Sequence, residues 1–500
     1  MEYIFHQGDF YNEVLKINNI NEDDLNIDCF YIEKYDEESI LLFKEKLLSL
    51  KEEKILLVGD YDCDGICATA IIKRLLNHLD IKHNYYIPSR SDGYGLSEAI
   101  VNLAKKNNYG VIMALDNGVS ANNALVLAKK LDIKVLIIDH HEYIDVPDCY
   151  CFIHPSLLKK DYQNLSAGGL SYLFSTYFYK DELSLVYGGL STLSDMVGVL
   201  NYNRYLIIRM MEILNSGNIY EINLLNDNKE LDYNSLSFNV IPKINAISRM
   251  GYNANVLVKY MLGSEKESIG LLPSINKIND FRKKETEREF NIAKSLINEN
   301  DDFYILISKE FKEGLCGLLA NKIVSEYNKP CLVFNESDGL LKGSGRSKED
   351  INLYEYLSNK KDIFKTFGGH NQACGLVLLK EDLDKLLEYI NDEKLEVNEC
   401  KKDVIDVDIE NIDFDLYEKI LSLMPFGIDL KEPLIRINNF TYSKKIMMAY
   451  KYPKYLVNDI FSAISFKSKN NKDEFSSVIG YLKKDNYHKN QLSILIEELS

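Results

Sequence analysis

Proline and glycine are sparse, 9 and 26 of 500 residues, which excludes a collagen-like repeat and long proline-rich linkers. No uninterrupted apolar run approaches the roughly 18 residues a membrane span needs. The opening residues MEYIFHQGDF lack the basic and apolar regions of a secretory signal. These absences predict a soluble, cytoplasmic protein with no membrane partner. Cysteine occurs nine times but never as C-x-x-C, a pattern of reduced thiols rather than a disulfide framework. Cys149 and Cys151 near His154 offer a fragment of a zinc site, but a fourth ligand at sensible spacing is missing, and they read as ordinary core residues.

Positive charge is also short. Lys and Arg number 59 against 76 Asp and Glu, a net charge of −17, which counts against coating duplex nucleic acid with a broad basic face but leaves room for a local anion site. Only nine of the 59 basic residues are arginine. Arg90, Arg249 and Arg346 stand in polar, glycine-flanked settings, where a planar fork of donors suits phosphate oxygens.

What is present is an ordinary globular composition, 46% hydrophobic and 27% charged, in a chain long enough for about three domains. From residue 54 short β-branched runs (KILLVGD, NYYIP, GVIMALD, IKVLIID) alternate with amphipathic stretches reaching Leu79 and near 96–107 and 119–131. That order predicts an α/β domain with a parallel sheet flanked by helices, completed by helices across 168–215. The boundaries expected are a short N-terminal segment 1–53, a catalytic domain 54–215, a linker region 216–300 with a connecting helix at 275–297, a smaller α/β domain 301–397, and a small β-rich domain 398–500.

Three acidic motifs each follow an expected buried strand: Asp60-Tyr-Asp62-Cys-Asp64-Gly65, Asp116-Asn117-Gly118, and Asp139-His140-His141-Glu142. In an open parallel sheet the carboxyl ends of the strands share one edge, so the motifs converge. Carboxylates and imidazoles crowded there repel and desolvate one another unless cations sit among them, and hard oxygen ligands with one or two imidazoles suit a pair of Mn²⁺ or Mg²⁺ ions. A single D-x-D is more often a helix-capping turn; the coincidence at three strand ends favours metal. Asp195, in the apolar stretch LSDMV, is either a further ligand or an N-cap. Two such ions can generate a nucleophile from water and clamp an in-line displacement at phosphorus, with arginines neutralising the phosphate and His141 as a candidate acid.

In order and spacing, DYDCDG, LDNG, DHHE and LSDMV resemble the four motifs of the DHH phosphoesterase superfamily, and FGGHNQACG resembles the GGH motif of the accompanying DHHA1 domain. Within the superfamily, IPSRSDGYGL, IPKINAISRMG, LLKGSGRS and MPFGIDLKEPLI are most similar to the RecJ family of single-strand 5′ exonucleases, over roughly residues 54–500. The resemblance implies that Asp62, Asp64, Asp116, His140 and Asp195 hold two metals with Asp116 as the bridge, and that Asp60 and His141 lie at or beside the metals. It places substrate contacts on Arg90, Tyr94, Arg249, Ser344, Arg346, Ser347 and the turn Gly368-Gly369-His370. It further implies a C-terminal OB-like domain, single-stranded DNA with a 5′ end as substrate, cut to mononucleotides in DNA repair and recombination. Single-strand-binding protein or a helicase would be partners of a monomeric enzyme. Two rivals stay open: an oligonucleotide or nucleotide phosphatase of the same superfamily, and a non-catalytic scaffold on the same fold.

Overall fold

The structure, a computed structural model, describes residues 2–31, 35–90, 93, 95–217, 219–397, 401–448, 452–458, 460–466, 471–485 and 491–500. It divides into two compact units: residues 34–195 with 206–399, and residues 1–33 with 196–205 and 400–500.

The first unit is built on a five-stranded, wholly parallel sheet in the order His83–Tyr86, Ile55–Gly59, Val111–Leu115, Lys134–Ile138, Cys151–Ile153. Ile55–Gly59 and Val111–Leu115 are buried at every position, as strands covered on both faces must be. Alternate residues divide the two cores. Leu56, Val58, Ile112, Ala114, Val135 and Ile137 face the helices Glu98–Lys106 and Asn122–Lys130. On the other side the helix Cys63–His78 is buried through most of its length and packs on the helices Ala167–Thr176 and Glu182–Ser194.

The connecting helix is Glu265–Ser295, 31 residues or about 46 Å, and begins well before the expected 275. Ser264 and Glu267 form a capping box at its start, and Pro273 lies inside it, removing one backbone hydrogen bond without ending the helix. Earlier in the linker region, a helical turn Tyr233–Ser235 runs into a π-helix, Leu236–Val240, and on into Ile241–Arg249.

The smaller α/β part has a five-stranded sheet in the order Thr366–His370, Ala373–Leu379, Leu340–Arg346, Cys331–Ser337, Tyr304–Ser308, with only the last pair parallel. One face packs on the helix Cys316–Tyr327 together with Phe290 and Ala293 of the connecting helix. Two expected turns are strands here. Gly343 to Arg346 pair on both sides, and a Cβ on Gly343 would meet the Val333 carbonyl at 2.2 Å, so this glycine serves strand packing. Gly368, Gly369 and His370 lie on the edge strand of the hairpin, paired with Gly375, Cys374 and Ala373.

The second unit carries an eight-stranded sheet, in which Lys401–Asp406, Ile435–Asn438, Ser477–Lys484, Leu492–Leu499 and Phe461–Ile464 match the apolar runs of the sequence. Lys444–Met448 and Tyr452–Leu456 extend it at one edge. At the other edge Glu2–His6 pairs in parallel with Lys401–Ile405. The expected segment 1–53 is therefore divided: its first part belongs to this sheet, and the helix Glu38–Ser49 belongs to the first unit. Short-range pattern cannot reveal a pairing made across about four hundred residues.

Candidate active site

The three acidic motifs are set side by side by strand register. Gly59 pairs with Leu115 and Leu115 with Ile138, and the ladder runs one residue further: Asp60 N donates to Leu115 O (3.2 Å), Asp116 N to Ile138 O (2.9 Å) and Asp139 N to Ile153 O (3.3 Å). Asp60, Asp116 and Asp139 thus stand on adjacent strand ends, all buried.

Each then receives a different role from its surroundings. Asp62 caps the helix Cys63–His78, its Oδ1 accepting from the amides of Asp64 and Gly65 at 3.1 and 3.2 Å. Capping and ligation are compatible, since a carboxylate has two oxygens. Asp64 accepts from Ala167 N (2.9 Å) and Gly168 N (2.7 Å) at the start of another helix, and from Ser191 Oγ. Asp139 is fully engaged: it accepts from His140 N, from Val119 N and from His141 Nδ1, the last at 2.8 Å. Burial pushes the Asp139 carboxyl up, but the hydrogen bond and charge of His141 outweigh it and hold it below its usual range. In return, burial notwithstanding, that bond raises the His141 imidazole to about 9. Asp139 is therefore an orienting anion.

His140 is the centre of the cluster. Its Nε2 lies 3.3 Å from Asp116 Oδ1, 3.5 Å from Asp195 Oδ2 and 3.6 Å from Asp64 Oδ2, and is buried without a hydrogen-bond partner among the described residues. Asp60 Oδ1 is likewise buried and unpartnered among them. Asp195 is at the C-cap of Glu182–Ser194, so its N-cap alternative does not apply. Three overlapping sets of donor atoms result, each within 4.8 Å: Asp116, His140 and His141; Asp64, His140 and Asp195; Asp60, Asp62 and Asp116.

The electrostatics say what is missing from such a cluster. Burial pushes Asp60 and Asp116 well above the usual carboxylate range, with neighbouring carboxylates adding to it, and takes Asp195 up to about 9. Burial pulls His140 down against the pull of Asp64. For Asp60, Asp116, Asp195 and His140 the charged forms are disfavoured, and a bound divalent ion is what inverts that for the carboxylates. The donor set fits one: hard oxygens with imidazole suit Mn²⁺ or Mg²⁺, whose bonds of about 2.1 Å put adjacent ligand atoms about 3 Å apart.

Arginines line the approach. The Arg90 guanidinium carbon lies 4.4 Å from the Tyr61 ring centre, and its Nε is buried without a partner among the described residues. Arg249 ends the helix Ile241–Arg249, and burial, then the charges of Arg90, Arg282 and Arg346, bring it down to about 10. Arg346, held down by burial, extends over Gly317, where a Cβ would come 3.1 Å from Nη2 and 3.5 Å from Ser344 Oγ. No carboxylate among the described residues pairs with Arg346; its Nη1 donates to the Gly345 carbonyl. Ser347 is occupied in its own loop, donating to Ile351 O at 2.8 Å. Gly368, Gly369 and His370 are exposed on the edge strand. Tyr94 lies outside the described residues.

Cys149 and Cys151 are free thiols raised by burial, the first to about 12, and neither falls within the donor sets above. His154 shares a hydrogen bond with Ser156 Oγ and meets His141 O at 3.1 Å, buttressing the motif. Sequence reasoning missed Asn117, which ties Val58 O, Leu115 O and Leu96 N together, and Asn245, whose Oδ1 accepts from Cys63 N at 2.8 Å. The signal for both was adjacency to a motif already in view.

Residues 54–190 match the DHH family, N-terminal domain, and residues 300–394 match the DHHA1 domain. The single-stranded-DNA-specific exonuclease RecJ of Bacillus subtilis is 28% identical over 414 residues, 78% of this chain and 52% of that protein. RecJ of Escherichia coli K12 is 28% identical over 378 residues, 67% of this chain and 65% of that protein. The chain thus aligns with about half to two thirds of the length of these relatives. Among solved structures, RecJ from Thermus thermophilus in complex with Mn²⁺ superposes with a TM-score of 0.82 at 17% identity, covering 100% of this chain and 80% of that one. Exonuclease RecJ bound to manganese gives 0.59 at 22% identity, covering 71% and 92%. Both structures share the fold found here. The chain is a relative of the RecJ proteins, carrying a DHH domain at 54–190 and a DHHA1 domain at 300–394.

Proposed function

We propose that this protein is a divalent-cation-dependent exonuclease that hydrolyses single-stranded DNA from the 5′ end to mononucleotides. The observation that carries the chemistry is the His140 Nε2 ringed by three carboxylate oxygens at 3.3–3.6 Å with no hydrogen bond of its own among the described residues. Strand preference is supported by the RecJ relatives, which are single-stranded-DNA-specific exonucleases.

Asp64, His140 and Asp195 with Asp116 would hold one ion, and Asp60, Asp62 and Asp116 the other. An imidazole nitrogen has one lone pair and serves one ion, whereas a carboxylate can serve two, so Asp116 would be the ligand shared by both ions. A Mn²⁺ or Mg²⁺ pair bound there lowers the pKa of water and stabilises the attacking and leaving oxygens of the displacement. Asp139 accepts from His141 Nδ1, which orients the ring and favours its protonated form, so that it would donate to the phosphate or to the departing oxygen. Arg90, Arg249 and Arg346 neutralise the non-bridging oxygens. Ser344, on the same face of its strand as Arg346, adds a hydroxyl donor.

Digestion of 5′-labelled and 3′-labelled single strands, with and without Mn²⁺, tests the proposal. Early loss of the 5′ label as mononucleotide, only with metal, is expected. Release from the 3′ end first, or activity confined to free nucleotides, would assign the site to another phosphoesterase reaction.

A further inference from the structure

Five of the nine arginines are held by partners, four of them by carboxylates. Arg74 pairs with Asp181, Arg209 with Glu212, Arg288 with Glu285 and Glu310, and Arg436 with Asp406, while Arg204 donates to the carbonyls of Leu25, Ser422 and Leu423. The other four, Arg90, Arg249, Arg282 and Arg346, have no carboxylate within 4.0 Å among the described residues. Three were marked by their glycine-flanked settings. Arg282 was hidden in the run FRKKETEREF of the connecting helix, where a charged surface is the ordinary reading.

Its geometry is not that of a solvated surface arginine. Asn279, one turn earlier and only 2% exposed, accepts from Arg282 Nε at 3.1 Å. That bond steers the guanidinium while its two terminal nitrogens have no hydrogen-bond partner among the described residues. The connecting helix packs along the helix Ile241–Arg249, and Arg282 is close enough for its charge to act on Arg249. The charges of Arg90, Arg282 and Arg346 all act on Arg249, and none of the four is ion-paired with a carboxylate among the described residues, an arrangement that favours an incoming anion.

We infer that Arg282 is a further phosphate ligand, supplied by the connecting helix, that grips a backbone phosphate of the bound single strand next to the scissile one. The inference rests on the exonuclease reading. With Arg90, Arg249 and Arg346 assigned to the scissile phosphate, a fourth fork carried by a different helix falls to the neighbouring phosphate. Arg282 is a binding residue that holds the strand in register and takes no part in the bond-breaking step.

The test compares the parent with Arg282→Ala, Arg282→Lys and Arg288→Ala, the last removing the same charge from the same helix at a position already paired. Binding of a fluorescein-labelled oligothymidylate is followed by anisotropy in EDTA across a KCl series, and cleavage is followed in Mn²⁺. Arg282→Ala should lower the log–log salt slope by about 0.7, the value of one single-strand phosphate contact. It should raise KM about tenfold with kcat within about twofold, from the loss of one charged hydrogen-bond pair. Arg282→Lys should recover part of the affinity, and Arg288→Ala should match the parent. A single methylphosphonate walked along the strand should cancel the Arg282→Ala defect at one linkage. An unchanged slope in Arg282→Ala, or an equal loss in Arg288→Ala, overturns the inference. If the parent binds but does not cut single strands, the exonuclease reading falls, and the binding slope in EDTA still decides Arg282.

Discussion

Asp116 adopts φ 62°, a left-handed backbone that most side chains avoid and that Asp and Asn tolerate. Asn is thus the informative replacement: it keeps the shape and the backbone and removes the charge. Asp116→Asn should fold as the parent does, and in EDTA should melt a few degrees higher, since a buried carboxylate among carboxylates is relieved. Cleavage in Mn²⁺ should fall by at least about a thousandfold, because the shared ligand of both ions is lost. Near-parent turnover in that variant would sink the two-ion assignment. Gly317 offers a second test of a single residue. Its missing side chain leaves room for Arg346 Nη2, with only 3.1 Å to an added Cβ. Gly317→Ala should stabilise the helix Cys316–Tyr327 by up to about 1 kcal/mol, yet displace the guanidinium and raise KM several-fold. A higher melting temperature with an unchanged KM would show that Arg346 does not hold the strand.

At the scale of elements, the site depends on how helices are pinned. The helix that presents Ser191 and Asp195 is anchored at its other end, where Asp181 caps it and takes a two-pronged bond from Arg74, at 2.6 and 2.7 Å. Burial raises the Asp181 carboxyl, but the hydrogen bonds from Arg74 and Ser184 together with the Arg74 charge outweigh it and hold it below its usual range. A carboxyl depressed in the folded state contributes stability above its unfolded value near 4, and the contribution is lost as pH falls through the folded value. Asp181→Asn should therefore cost about 1–3 kcal/mol at pH 7, with the difference from the parent shrinking below about pH 4. Denaturant melts at pH 7 and pH 3 decide it. Gly314 brings the smaller α/β part against Arg249: a Cβ there would stand 2.2 Å from the Arg249 carbonyl oxygen, which is backbone and cannot swing away. Gly314→Ala should cost about 1–3 kcal/mol and slow cleavage of single strands more than the melting change alone explains. If cleavage is unaffected, the 313–315 turn does not position Arg249.

The whole molecule carries −17, so long-range repulsion opposes any polyanion that is not gripped locally. A blunt duplex should bind at least a hundredfold more weakly than a single strand at about 150 mM salt, in a gel-shift or anisotropy competition in EDTA. Comparable affinities would require a basic face that the composition does not supply. In the second unit, Glu2–His6 closes one edge of the eight-stranded sheet, with Tyr3 OH donating to Glu498 at 2.7 Å and Phe5 beneath the Arg436 guanidinium at 3.4 Å. Deleting residues 2–7 should expose the Lys401–Asp406 edge and speed proteolysis within 401–500, while the parallel-sheet unit retains its melting behaviour.

The sequence by itself determined the strand–helix alternation of the parallel sheet and the acidic motifs at its carboxyl edge, because burial on both faces writes continuous apolar runs and a strand end is a local event. The convergence of Asp60, Asp116 and Asp139 on one sheet edge was legible for that reason, whereas Asp195, at the end of a helix, was marked only by its apolar surroundings. What only the tertiary structure decided involves partners far apart in the chain. The Glu2–His6 strand finds its neighbour at Lys401–Ile405, Asn245 reaches Cys63, and Gly314 meets the Arg249 backbone. Arg282 changes from one charge in a solvated-looking run to part of a four-arginine group only when the connecting helix lies along Ile241–Arg249. Hydrophobic period and turn chemistry are written within a few residues, but charge proximity and close packing depend on distance in space, which the order of residues does not contain.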